Sequence, residues 1–172
     1  FYLPFVEGNN SSKNVDKILL EDWAELLGWV LSEGNSTYEE ETSEYHVYIH
    51  QSYSANRENC ERIEALLNRL PFAWSSRDRG NSRMVFNLST KQLAKYMSQF
   101  GSSENVYLPE EVFSWPLHAR RVLLDTLMCG DGRQTKTHKS KRQDSEIYTT
   151  TSLKLAKGVE RLIISLGHAT SF

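Results

Sequence analysis

The chain has 172 residues, 39% of them hydrophobic, which suffices for one sizeable core or two small ones. Its 20 Lys and Arg nearly balance its 22 Asp and Glu, leaving a formal net charge of −2 and excluding a uniformly basic protein of the histone type. Cys60 and Cys129 lie in apolar helical patterns without C-x-x-C spacing, which argues against a disulfide framework or a cysteine zinc site. No stretch approaches the roughly 18 consecutive apolar residues of a membrane span, and no basic segment precedes an apolar one at the N-terminus, so the expected compartment is intracellular.

Residues 1–18 have no sustained period and read as a linker, which is taken to residue 20. Asp22-x-x-Glu25 has the form of a capping box, and Leu26, Leu27, Val30 and Leu31 then mark the apolar face of a helix that Gly34 ends. A strand around residues 36–40 would form a hairpin with Tyr45 to Tyr53. There Tyr45, Val47 and Ile49 alternate with His46, Tyr48, His50 and Ser52. An amphipathic helix over 56–69 carries Ile63, Leu66, Leu67 and Leu70, and Pro71 stops it. Residues 72–79 and 83–89 predict a second hairpin turning at Gly80-Asn81, with Phe72 and Trp74 opposite Arg77 and Arg79. Ser89-x-x-Gln92 predicts the cap of a helix that Gly101 closes. A connector follows, and then a helix over about 117–130. The segment 133–142 gathers Arg133, Lys136, Lys139, Lys141 and Arg142 without an acid, whereas Glu39, Glu40, Glu41 and Glu44 crowd an earlier one. A strand over 147–151 and a Ser152-capped helix over 153–166 complete the chain.

This order contains a repeat. "LLGWVLSEG" in the first helix and "LLDTLMCGDG" in the later one both end in an acid and a glycine, and Gly28 and Ser32 coincide with Thr126 and Gly130. The strand and helix that follow also correspond, with "ERIEALLNRL" answered by "ERLIISL". By the length of the first unit, roughly two dozen residues of the second are expected beyond Phe172.

Small residues four apart share one helix face and permit close approach of a second backbone. Packed through Gly28/Ser32 and Thr126/Gly130, the two helices would bring Glu33 and Asp131 together. Each acid would then face the negative end of its own helix and the other carboxylate, an unfavourable arrangement by itself. A Mg²⁺ ion reverses the sign, because it takes one or two carboxylates together with waters and phosphate oxygens, and helix-end carbonyls add further ligands.

With that pair of motifs the sequence resembles the LAGLIDADG homing endonucleases, in particular the dodecapeptide type found in inteins. The resemblance implies an α+β, pseudo-twofold pair of αββαββα units. The first half would span 21–101, a connector 102–116 and an incomplete second half 117–172. It further implies a monomer that sets two sheets over the major groove of double-stranded DNA, in a microbial or phage-infected cell. Mg²⁺ (or Mn²⁺) would be held by Glu33, Asp131 and the carbonyls of Ser32 and Gly130, to cut both strands at a specific site. His46, Tyr48, His50, Arg77, Arg79, Arg83 and Asn87 would read bases, and Arg133, Lys136, Lys139, Lys141 and Arg142 would meet phosphates.

Two positions depart from the family pattern. Glu33 stands where aspartate is commoner, and Val106 in "ENVYLPEEVF" stands where the intein type often has a lysine; Lys91 and Lys95 are candidate substitutes. The residues needed for self-splicing are absent from both ends of the sequence, so the intein link is only half supported. Val106 and the expected missing end favour an alternative reading, a LAGLIDADG-type DNA-binding protein or RNA-splicing cofactor with impaired cleavage. The remaining aromatics Trp23, Trp29, Trp74 and Trp115 are expected in the core.

Overall fold

The structure is a computed structural model and describes residues 18–135 and 145–171. Helix α1 (Leu20–Glu33) is buried at every position from Asp22 to Leu31, as expected of a helix surrounded by other elements rather than lying on a surface. Strands β1 (Gly34–Glu39) and β2 (Glu44–Ser52) form the predicted first hairpin, with Gly34 opposite Ile49. Helix α2 (Arg57–Arg69) turns Cys60, Ile63, Leu66 and Leu67 inward. The second hairpin is β3 (Trp74–Asp78) and β4 (Arg83–Leu88), and its turn uses left-handed Gly80 and Asn81. The four strands make one antiparallel sheet in the order β1-β2-β4-β3.

Helix α3 (Lys91–Met97) closes this half, followed by 3₁₀ turns at Ser98–Phe100, Ser103–Asn105 and Glu110–Ser114. The connector is no free tether, since Leu108, Val112 and Trp115 are buried in the common core. Helix α4 (Leu117–Asp131) leads into β5 (Gly132–Thr135), which pairs with β6 (Ser145–Tyr148) so that Gly132 faces Tyr148. Helix α5 (Leu153–Ser165) then begins on Ser152, whose hydroxyl accepts the Leu155 N–H as predicted. Trp23 and Trp29 are fully enclosed, Trp115 is buried, and Trp74 packs half-buried on Phe86.

Three local expectations fail for physical reasons. Asp22 and Glu25 do not cap α1, because the helix starts at Leu20 with Leu19 as N-cap; Arg69 instead pairs with both acids and Arg62 with Glu25. Ser89 does not cap α3, which starts from Thr90; its hydroxyl turns back to the sheet, within 3.2 Å of both Asn87 Nδ2 and His46 Nδ1. Gly34 ends α1 in extended rather than left-handed backbone. What demands glycine there is space, since a Cβ would lie 2.7 Å from the Tyr48 and Val30 carbonyl oxygens.

Candidate metal centre and nucleic-acid interface

Helices α1 and α4 meet along the small residues that the repeat singled out. A Cβ at Gly28 would stand 2.7 Å from the Thr126 Cβ, and one at Gly130 would fall on the Ser32 side chain. Both hydroxyls at this seam are satisfied inside their own helices, Ser32 Oγ donating to Gly28 O at 2.9 Å and Thr126 Oγ1 to Val122 O at 2.8 Å. Such contacts require glycine because the Thr126 and Ser32 side chains already fill the space that a Cβ at Gly28 or Gly130 would need.

The seam delivers Glu33 and Asp131 to one tip. Glu33 Cγ lies 3.2 Å from where a Gly130 Cβ would be, and the carboxylates feel one another. Burial pushes the Glu33 carboxyl up to about 7, with the neighbouring Asp131 charge adding to the rise and a hydrogen bond from Gln51 opposing it. Asp131 is also raised by burial and pulled back by a hydrogen bond from Tyr148. The Asp131 charge thus opposes ionisation of Glu33 at the shared tip.

Around the acids, Gln51 Nε2 donates to Glu33 Oε1 at 3.3 Å. The Gln51 carbonyl oxygen accepts from Ser52 N and Asn56 Nδ2, which turns its amide toward the acid. The Tyr148 hydroxyl donates to Asp131 Oδ2 at 3.4 Å. At the end of α4, Asn59 Nδ2 takes the Cys129 carbonyl and the Thr149 N–H takes the Asp131 carbonyl, with Gly130 between them.

Among the described residues no group of three His, Cys, Asp and Glu side chains is arranged to hold a metal. The donor set at the tip is two carboxylates with helix-end carbonyls, hard oxygens that fit a Mg²⁺-like ion retaining several waters. It does not fit zinc, which takes mainly nitrogen and sulfur.

The outer face of the four-stranded sheet carries every base-reading candidate from the first half. By register Tyr48 lies beside Asn87, His50 beside Val85 and Val85 beside Arg77; Arg83 continues the row, and the Arg79 N–H donates to its carbonyl. His46 stacks on Tyr48 at 5.3 Å between ring centroids, and Tyr48 leans on His50 at 6.2 Å. His46 Nδ1 lies 3.1 Å from Asn87 Oδ1, and His50 Nε2 lies 2.9 Å from Asn35 Oδ1. Partial burial and the Arg79 and Arg83 charges hold His50 below its ordinary pKa. Arg133 is exposed on β5, at the place Asn35 occupies on β1. Lys136, Lys139, Lys141 and Arg142 lie outside the described residues.

This architecture recurs in solved structures. The homing endonuclease I-WcaI, bound to its DNA recognition sequence, is 15% identical, covers 94% of this chain and 76% of its own, and gives a TM-score of 0.55. An I-DmoI variant in complex with its target DNA and manganese is also 15% identical, over 86% of this chain and 76% of that one, at a TM-score of 0.53. The chain has the homing endonuclease fold.

The LAGLIDADG likeness read from the two motifs and the α+β class thus both hold. No family model matches the sequence, and no curated protein matches it. Within the homing endonuclease fold the candidate lysines are misplaced for chemistry. Lys91 pairs with Glu40 at 3.1 Å and lies over Tyr45, and Lys95 lies over Tyr38. Glu40 sits beyond the far end of β1, about 20 Å of strand from Glu33. Val106, by contrast, lines the same cavity of about 400 Å³ as Asp131.

Sequence reasoning missed Gln51, Tyr148, Arg62 and Asn59. One signal was present: Gln51 continues the inward row Val47, Ile49, Gln51, and it is only 4% exposed. A polar side chain where the alternation calls for an apolar one needs a buried partner, and here that partner is Glu33.

Proposed function

We propose that this protein is a site-specific, divalent-metal-dependent DNA endonuclease of the homing type, acting as a monomer on double-stranded DNA, with its origin in an intein. The observation that carries the reading is the convergence of Glu33 and Asp131 at the tip of two helices whose close packing admits no other side chains. The neighbours of the same fold were solved on DNA targets, one of them with manganese, which supports the same substrate and metal class here. Glu33, Asp131 and the carbonyls of Ser32 and Gly130 would hold Mg²⁺ or Mn²⁺. When bound, such an ion supplies charge to a phosphate oxygen and acidity to a bound water.

The chain's own residues do the rest. Gln51 orients the Glu33 carboxylate, and Asn59 holds the end of α4. His46, Tyr48, His50, Arg77, Arg79, Arg83 and Asn87 form a preassembled rack on the outer sheet face that suits base edges in the major groove, the arginines fitting guanine. Arg133, together with Lys136, Lys139, Lys141 and Arg142, would contribute phosphate contacts and a salt-dependent affinity.

The test is cleavage of a plasmid library bearing randomised duplex, in Mg²⁺ or Mn²⁺ against Ca²⁺. Recovery of one cleaved sequence family in Mg²⁺ or Mn²⁺ supports the reading. Asp131→Asn is expected to lower cleavage by about a thousandfold or more while changing binding of the recovered duplex only a few-fold. Equal loss of both would make the acid structural. One observation favours the weaker, binding-only reading: Val106 lines the same cavity as Asp131, at the position where the intein type often has a lysine, so no ammonium comes from there. Tight, sequence-specific binding with no cut in either metal would select it.

A further inference from the structure

The two hairpins place different residues beneath the two acids. In the first, Gly34 faces Ile49; in the second, Gly132 faces Tyr148, so Tyr148 occupies the position of Ile49 and Thr150 that of Gln51. Ile49 is an enclosed core residue that makes no polar contact, and Glu33 receives its hydrogen bond from Gln51, two residues along the strand. A threonine at the Gln51 position is two bonds too short to repeat that contact. The tyrosine at the Ile49 position is long enough, and its hydroxyl reaches Asp131 Oδ2 at 3.4 Å.

Resting on the function proposed above, we propose that Tyr148 is the positioning residue of the second half. It orients the Asp131 carboxylate through Oδ2 and leaves Oδ1 for a cation, as Gln51 does for Glu33 through Oε1. The phenol suits this task because its rigid ring carries the hydroxyl from the core side of the strand to the carboxylate. The two acids are thereby held by different groups on different frames: an amide locked by Asn56 and Ser52 in the first half, a phenol rising from the core side of a strand in the second. Removing one donor disturbs one acid, and the two DNA strands respond unequally.

The experiment uses the full chain on the duplex recovered from the randomised plasmid library, each strand carrying its own fluorophore, in Mg²⁺. Tyr148→Phe keeps the ring and removes only the hydroxyl; it is expected to slow cleavage of one strand about tenfold and leave the other within about twofold. Gln51→Ala is expected to show the opposite strand preference. Tyr148→Ile, which installs the first half's residue, should reproduce the bias of Tyr148→Phe and guards against a defect peculiar to phenylalanine. Equal slowing of both strands, or no change, would overturn the assignment while leaving the nuclease intact. A wild-type protein that cuts neither strand in Mg²⁺ or Mn²⁺ overturns both proposals.

Discussion

Helices α2 and α5 occupy corresponding places in the two halves and share a Glu-Arg pair, yet their arginines act on different elements. Arg62 reaches into the seam, where Nε meets Glu25, Nη2 lies 3.1 Å from Thr126 Oγ1, Nη1 approaches Cys129 Sγ, and the guanidinium lies against the Trp29 ring. Arg161 turns outward to Glu110 at 2.7 Å and stacks over Phe113, 3.7 Å from its centroid. One arginine ties the two signature helices together, and the other pins the connector. The difference teaches that the repeat conserves the seam's geometry while each half supports it separately. Asn59 of α2, which holds the end of α4, corresponds to Gly158 of α5, where a Cβ would lie 2.8 Å from Leu108.

Breaking the seam itself should give the largest effect on stability. Gly28→Ala puts a methyl carbon 2.7 Å from the Thr126 Cβ at a buried position, which overpacks the contact by about 2–3 kcal/mol. For a chain of this size that corresponds to roughly 4–12 °C in thermal midpoint, readable by circular dichroism. Adding Thr126→Gly removes the opposing carbon and should recover about half of the loss, after the helix penalty of a second glycine. A double variant no better than the single one would place the strain elsewhere.

The arginine comparison is sharpened by removing each in turn. Arg62→Ala leaves Glu25, whose side chain is only 10% exposed, with Arg69 alone at 3.3 Å and strips the Thr126 hydroxyl of its donor; a loss of about 2 kcal/mol is expected. Arg161→Ala removes a pair whose Glu110 side chain is 79% exposed, together with one ring contact, and should lose about 1 kcal/mol or less. Urea titration of both variants decides the point. Equal losses would mean that α2 has no special hold on the seam.

Much of this was legible in the sequence because it rests on local patterns. Period-two alternation at Val47 and Ile49 fixed the inward face of β2, and the outward parity of His46, Tyr48 and His50 followed at once. The small-residue seam was legible because Gly28 and Thr126 recur at matching places in two similar segments. What escaped depended on partners distant in sequence. Asp22 and Glu25 stand at capping spacing, and nothing nearby reveals that Arg62 and Arg69 would reach them across two elements. Tyr148 looked like an ordinary strand residue because its role follows from a register one residue out of step with the helix repeat, fixed only when Gly132 pairs with it. The basic run 133–142 remains a sequence expectation beyond Arg133.

The acids themselves give a modest effect on stability and the most diagnostic one. Glu33 is raised in the folded protein from 4.5 to about 7, so the native state binds the proton more tightly than the unfolded chain. Its contribution is fully present below about pH 4.5 and is lost as pH rises through 7, the opposite of a salt-bridged carboxylate. At this half-exposed site solvent screening reduces the expected loss to about 1–2 kcal/mol between pH 5 and 8. Glu33→Gln, neutral throughout, should flatten that slope in metal-free buffer. Mg²⁺ must displace the proton, so added metal should raise the melting temperature more at pH 8 than at pH 6 in the parent, and Asp131→Asn should largely abolish the difference. Melting curves with and without Mg²⁺ at the two pH values give the answer. A parent protein that Mg²⁺ stabilises equally at both would mean that the ion does not bind between the paired acids.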